Sequence, residues 1–181
     1  MKKSNPPSKF LMITFCTLFI LGVSFAFYFQ QFLQEQPRVG AQTFSVDGYE
    51  VAFGCTKTFS SVINPQYPPV TQEITYRGVP IIAVTIFMIA FCILLQVVCI
   101  ILKIRKAPDN IRYVLCLVSA ALTLFCGITV FFSAELFDQI NDLTLDGFYT
   151  TGAITTGIFL ISGAFITSLN AVDLFRRKKT A

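Results

Sequence analysis

The chain has 181 residues, of which 54% are hydrophobic and only 13% charged, and its formal net charge is +4. A soluble domain carries roughly 25% charged residues, so this composition excludes an ordinary water-soluble fold and points to an integral membrane protein. The chain has no histidine, which removes Ser-His-Asp and Cys-His catalytic pairs and imidazole metal ligands, and the small net charge argues against a nucleic-acid partner.

Residues 1–9 carry Lys2, Lys3 and Lys9 and are expected in the cytoplasm. An uncharged apolar run over 10–29 follows. It reaches the about 20 residues that a bilayer core requires. Hydrocarbon offers the backbone no hydrogen-bond partner, so the run predicts a transmembrane helix. A rival reading takes Lys2, Lys3 and the run up to Ser24-Phe25-Ala26 as a cleaved signal peptide. The run continues through Phe29, beyond the roughly 7–15 residues of a signal core, which favours a retained span. Gly22 and Ala26 have small-xxx-small spacing, which lets helix backbones approach closely, either inside a bundle or in a homo-oligomer.

Residues 30–80 form a connection too long to be bare. Short β-prone runs at 41–45, 50–53, 56–63 and 73–76 are rich in Phe, Val, Thr and Tyr. Asp47-Gly48 is a turn signal between the first two, and Pro65, Pro68 and Pro69 break the chain before the last. The pattern predicts a small extracellular antiparallel sheet, with an irregular lid as the alternative. Phe44, Tyr49, Phe53 and Phe59 are aromatic anchors of the kind that dominate interfaces, some of which would instead form the sheet's own core. Cys55 is the one cysteine in either outer segment. It is therefore read either as a packed free thiol or as one half of an intermolecular disulfide.

A second span is predicted over 81–102, where Pro80 sits at the first turn and its missing N–H costs little. A basic connection at 103–112 leads to a third span over 113–134. Cys99 and Cys116 lie near the inner ends of these two spans, where juxtamembrane cysteines are candidates for palmitoylation or, more plainly, for packing. A short acidic segment at 135–148 precedes a fourth span over 149–172. That span repeats the small-residue spacing at Ala153 and Gly157. The tail at 173–181 is basic. Lys178 and Lys179 either flank the span or act as a dilysine retrieval signal.

The fold class is thus an all-α membrane protein, a four-transmembrane-helix bundle with a small extracellular β-sheet from the first loop. Eleven basic and two acidic residues fall on the side of the termini, against three basic and eight acidic residues on the other. The positive-inside rule places both termini in the cytoplasm. No charge lies inside these spans, which argues against a transporter or pump.

The plan is a short inner N-terminus, a large first outer loop, a short basic inner turn, a small second outer loop and an inner tail. It resembles the tetraspan superfamily of claudins, peripheral myelin protein and epithelial membrane proteins, with the Clc-like and clarin-type relatives. Gly147-Phe148-Tyr149-Thr150-Thr151-Gly152, followed by 158–164, is similar to the claudin-type start of span four. Ser119-Ala120-Ala121-Leu122, running on to Gly127, is similar to the small-residue third span. Phe53-Gly54-Cys55 stands roughly where the first-loop signature falls, although the signature's Trp and second Cys are absent. The resemblance implies a non-enzymatic plasma-membrane protein without a cofactor. It would act in adhesion at a cell junction or gamete surface through its first outer loop. Its partners would be lipids and other membrane proteins in cis or trans. The alternatives are an auxiliary or trafficking subunit of a channel or receptor, in surface or internal secretory membranes, and a paracellular channel.

Overall fold

The computed structural model describes residues 9–35, 44–61, 70–141 and 148–180. Among them are the helices α1 (Lys9–Phe27), α2 (Gly48–Phe53), α3 (Pro80–Ile104), α4 (Asp109–Val130), α5 (Ser133–Ile140) and α6 (Thr151–Thr180). The strands are β1 (Gln31–Glu35), β2 (Phe44–Asp47), β3 (Gly54–Ser61), β4 (Val70–Arg77) and β5 (Phe148–Tyr149). Helices α1, α3, α4 and α6 are long and apolar enough to cross a membrane. The 19 residues of α1 and the 25 of α3 rise about 28 and about 37 Å, matching a hydrocarbon core of about 30 Å.

The chain divides into two compact units. The first comprises 1–25, 87–128 and 157–181 and packs helix on helix. Close approach is set by small residues: a Cβ on Gly163 would lie 3.2 Å from the Ile20 side chain, and one on Gly127 2.9 Å from that of Ile161. Buried polar groups tie the helices together. Gln96 Nε2 donates to Ser119 Oγ at 2.8 Å, and Asn170 Nδ2 to Thr14 Oγ1 at 3.0 Å. Thr14 in turn donates to the Phe10 carbonyl at 2.8 Å, one helical turn back. A hydroxyl satisfied by its own helix in this way adds no unpaired donor to an apolar interior and keeps an oxygen free to accept from the neighbour.

The second unit comprises 26–86 and 129–156 and holds both sheets. One has the order β2-β1-β5, and the other is the β3-β4 hairpin. The hairpin is antiparallel, with a register from Gly54 opposite Arg77 to Ser61 opposite Val70.

Four expectations need correction. Residues 50–53 are helical, because Glu50 Oε2 accepts the Asp47 backbone N–H at 2.9 Å, which makes Asp47 the start of a helix instead of a hairpin turn. The sheet is two sheets, and β5 comes from the connection before α6, so the first loop does not build them alone. The third apolar run breaks after Val130: Ser133 Oγ donates to the Val130 carbonyl at 2.7 Å and a separate short helix begins. The fourth helix continues to Thr180, since nothing in Arg-Arg-Lys-Lys opposes helix. Residues 41–43 and Pro65, Pro68 and Pro69 lie outside the described residues.

Between α3 and α4 the chain turns at Lys106, whose φ is 54°. The Ala107 N–H donates to the Leu102 carbonyl at 2.9 Å, and Pro108 follows. This is the left-handed helix end with a proline beyond it.

Candidate functional site

The second unit carries the surface with the most chemistry. It is built on α2, which is held at both ends by backbone. At its start, the Tyr49 N–H donates to the Tyr28 carbonyl at 2.8 Å and the Gly48 N–H to that of Gln30 at 3.3 Å. A Cβ on Gly48 would stand 2.8 Å from the Tyr28 oxygen. At its end, Val79 N–H donates to the Val51 carbonyl at 2.8 Å. Gly78 lies so close that a Cβ there would be 2.5 Å from the Ala52 oxygen and 2.6 Å from the Gly54 nitrogen. Gly54 closes the helix with φ 87°, a conformation open to glycine and strained for other residues. Tyr28 is itself fixed: it is buried, stacks on Phe32 and hydrogen-bonds Thr85 Oγ1 at 3.1 Å.

The inner face of α2 buries Val51 and Ala52, while Glu50 reaches across to β3. Lys57 Nζ donates to both Glu50 oxygens at 2.8 and 2.7 Å, and the two side chains are only 24% and 15% exposed. Burial pulls the Lys57 ammonium down, but the hydrogen bond and charge of Glu50 outweigh it and leave the pKa above its ordinary value. Asp47 is pushed up by burial and then by Glu50, with Lys57 opposing. Cys55 stands beside the pair as a half-buried free thiol. Burial, Glu50 and Asp47 push its pKa up, and Lys57 opposes them.

The aromatic candidates separate into two groups. Phe44 and Phe59 meet edge to face at 5.3 Å, and Phe44 stacks on Tyr76 at 5.2 Å. Tyr76 meets Phe137 of α5 at 5.9 Å. Phe44 and Phe59 therefore join the two sheets and α5. Tyr49 and Phe53, four residues apart on α2, are 40% and 59% exposed. Tyr49 stacks at 6.0 Å on Phe29, which is 58% exposed. The hairpin presents a different surface, with Thr56, Thr58, Glu73 and Thr75 exposed. Thr56 and Thr75 pair across it at 3.1 Å.

The other candidates fall elsewhere. Ala153 and Gly157 are buried. Gly22 and Ala26 are exposed, and a Cβ on Gly22 would meet nothing within 4 Å. Among the described residues, the close approach that a glycine permits is thus not made at Gly22. Cys99 and Cys116 are fully buried with Phe10, Ala171 and Leu174. Lys178 and Lys179 fall in the last turn of α6, and their side chains lie outside the described residues.

Two residues escaped the sequence reading. Asn141 pairs with the Arg77 backbone as a strand would: its Oδ1 accepts the N–H at 2.6 Å and its Nδ2 donates to the carbonyl at 3.0 Å. No local pattern announces such a contact, 64 residues away. Arg112 is 4% exposed, pairs with Asp109, and lies 5.2 Å from the Phe10 ring centre. The i,i+3 spacing of Asp109 and Arg112 at a helix start was legible, but the aromatic face was not.

No group of three or more potential metal-ligating side chains occurs among the described residues. No family model, curated protein or solved structure matches the chain.

Proposed function

We propose that the chain is a four-span membrane protein with both termini in the cytoplasm, acting through contacts made by its extracellular sheets with another membrane protein. One observation supports this above the others. The described residues of the long connection between the first two long helices form hydrogen-bonded strands and a helix fastened to the ends of α1 and α3. A chain that needed only to return to the membrane would have no use for such order, which costs about 1–2 kcal/mol per residue in backbone entropy. Charge supports the orientation, because the basic residues collect on one side of the spans. The likeness to claudin-type tetraspans belongs to the same proposal and rests on the order and size of the segments. Adhesion at a junction or gamete surface is the form of the activity it suggests.

The hairpin surface of Thr56, Thr58, Glu73 and Thr75 is the contact face this reading favours, since Phe44 and Phe59 are occupied internally. Cells displaying the protein should gain contacts with one another or with neighbouring cells. Thr58→Lys combined with Thr75→Lys should abolish those contacts at unchanged surface delivery. Undiminished contact by the double variant would overturn the assignment of the face.

A second reading, an auxiliary or trafficking subunit of a channel or receptor, is favoured by the exposed Gly22–Ala26 face of α1. Small residues on a lipid-facing helix suit a lateral helix partner. Gly22→Leu should then release a co-purifying membrane protein while cell contact persists.

A further inference from the structure

We propose that the outward face of α2 is a membrane foot: Tyr49 and Phe53, with Phe29 beside them, are seated in the headgroup layer of the outer leaflet, and the sheets rest on the bilayer through them. This assigns Tyr49 and Phe53 to lipid instead of to a protein partner, and it rests on the spanning reading above.

The first line of support is depth. Phe29 lies two residues past the end of α1 in a turn closed by the bond from its N–H to the Ala26 carbonyl at 3.1 Å. The start of α2 is bonded to the backbone of residues 28 and 30, in that same turn. The end of α2 is pressed against Gly78, two residues before α3 begins at Pro80. A helix tethered at both ends to the ends of spanning helices is held at the level where hydrocarbon gives way to headgroups. The tethers are backbone contacts and cannot relax by a change of rotamer.

The second line is chemistry. The outward positions of a short helix in water are ordinarily polar, and within the same unit one face of the hairpin is polar in this way, with Thr56, Thr58, Glu73 and Thr75, while Ile74 on its other face is 36% exposed. On α2 the outward positions are two large aromatics at i,i+4, and the aromatic at the end of α1 stacks on one of them. Two further exposed aromatics, Phe131 and Phe132, stand where α4 ends. Amphipathic rings favour the headgroup level of both membrane faces, where an apolar body and a polar tip are both accommodated. Tyr49 has such a tip. The only charged side chain of α2, Glu50, is turned away into its pair with Lys57. The apolar face can therefore enter the interface without carrying a charge with it.

The chain has no tryptophan, so each substitution to Trp supplies one fluorophore without background. Phe53→Trp and Tyr49→Trp, each in the full chain, would be reconstituted into phosphatidylcholine vesicles holding a nitroxide either near the headgroup or at the chain end. Aqueous acrylamide would be the second quencher. Both variants should emit at blue-shifted wavelength. The headgroup-proximal nitroxide should remove most of the emission, the chain-end nitroxide less, and acrylamide little. Thr58→Trp should behave in the opposite way, quenched by acrylamide and untouched by either lipid. Phe19→Trp, on the exposed face of α1, should be quenched most by the chain-end nitroxide. If Phe53→Trp and Tyr49→Trp match Thr58→Trp while Phe19→Trp is still quenched from the lipid, the foot is refuted and the spanning helices stand. If Phe19→Trp also escapes the lipid quenchers, the spanning reading itself fails. Two reporters on one face guard against the misfolding of either variant.

Discussion

Gly78→Ala adds one methyl group at a place where there is room for none. The new Cβ would lie 2.5 Å from the Ala52 oxygen, 2.5 Å from the Phe53 carbonyl carbon and 2.6 Å from the Gly54 nitrogen, where ordinary contact begins at 3.4 Å. All three are backbone atoms, so relief requires the end of α2 to move by about 1 Å relative to the residues before α3, at roughly 1–3 kcal/mol of overpacking. The movement also weakens the 2.8 Å bond from Val79 N–H to the Val51 carbonyl, worth about 1 kcal/mol. Together these amount to about 2–4 kcal/mol, or a Tm lowered by roughly 5–15 °C for a chain of this size. Thermal unfolding followed by circular dichroism in lipid nanodiscs reads the global effect. Amide exchange at Val51, Ala52 and Val79 reads the local one. Gly22→Ala is the matched control: a Cβ there meets nothing within 4 Å, and removing a helical glycine gains up to about 1 kcal/mol. Equal Tm values for Gly78→Ala and the parent chain, or a Gly22→Ala variant that melts as early as Gly78→Ala, would refute the steric reasoning.

Ser119→Ala should destabilise the first unit by about 0.5–1.5 kcal/mol, because Gln96 Nε2 loses its 2.8 Å acceptor in an apolar interior. Gln96→Met, which removes the need for that acceptor, should be close to neutral, and a double-mutant cycle in a denaturation series checks both. Asn141→Ala should cost about 1–2 kcal/mol and speed amide exchange at Arg77, whose N–H and carbonyl both bond the Asn141 side chain. Cys55 should alkylate slowly at neutral pH, with a rate that climbs through a midpoint above the ordinary thiol value. Glu50→Gln should speed the reaction and Lys57→Met should slow it, since Glu50 raises and Lys57 lowers the thiol pKa; the pH profile of iodoacetamide labelling reads the order. Lys57 has a raised pKa in the fold. Its pair therefore contributes stability that is fully present below the unfolded lysine value and is lost as pH rises through the folded one. Melts at stepped alkaline pH should show that loss in the parent chain and not in Lys57→Met.

The long helices were legible because long uncharged apolar runs announce themselves in a sequence: those predicted at 10–29, 81–102, 113–134 and 149–172 answer to α1, α3, α4 and α6, each long and apolar enough to cross a membrane. Their ends were less so. Phe131-Phe132-Ser133-Ala134 continues the apolar run after Val130, so composition gave no sign that the helix stops there. Residues 50–53 have β-prone side chains, yet Asp47 and Glu50 stand at the spacing of a capping box, and that local bond won. Strand β1 could not be anticipated, because its partners are β2 and, over a hundred residues away, β5. The same distance hid the division of the aromatics. Phe44 and Tyr49 look alike in sequence, and only the fold shows that one faces Phe59 and Tyr76 while the other faces outward beside Phe29.

The central claim is that residues 30–79 lie outside the cytoplasm and both termini inside it. The chain contains no Asn-x-Ser/Thr sequence, and Ala41→Asn creates one with Gln42 and Thr43. N-glycosylation occurs only on the lumenal side, whichever membrane the protein finally occupies. The account predicts that Ala41→Asn acquires an endoglycosidase-sensitive glycan, while an acceptor sequence appended beyond Ala181 on a flexible spacer stays unmodified. A glycan on the appended tail and none at residue 41 would contradict it.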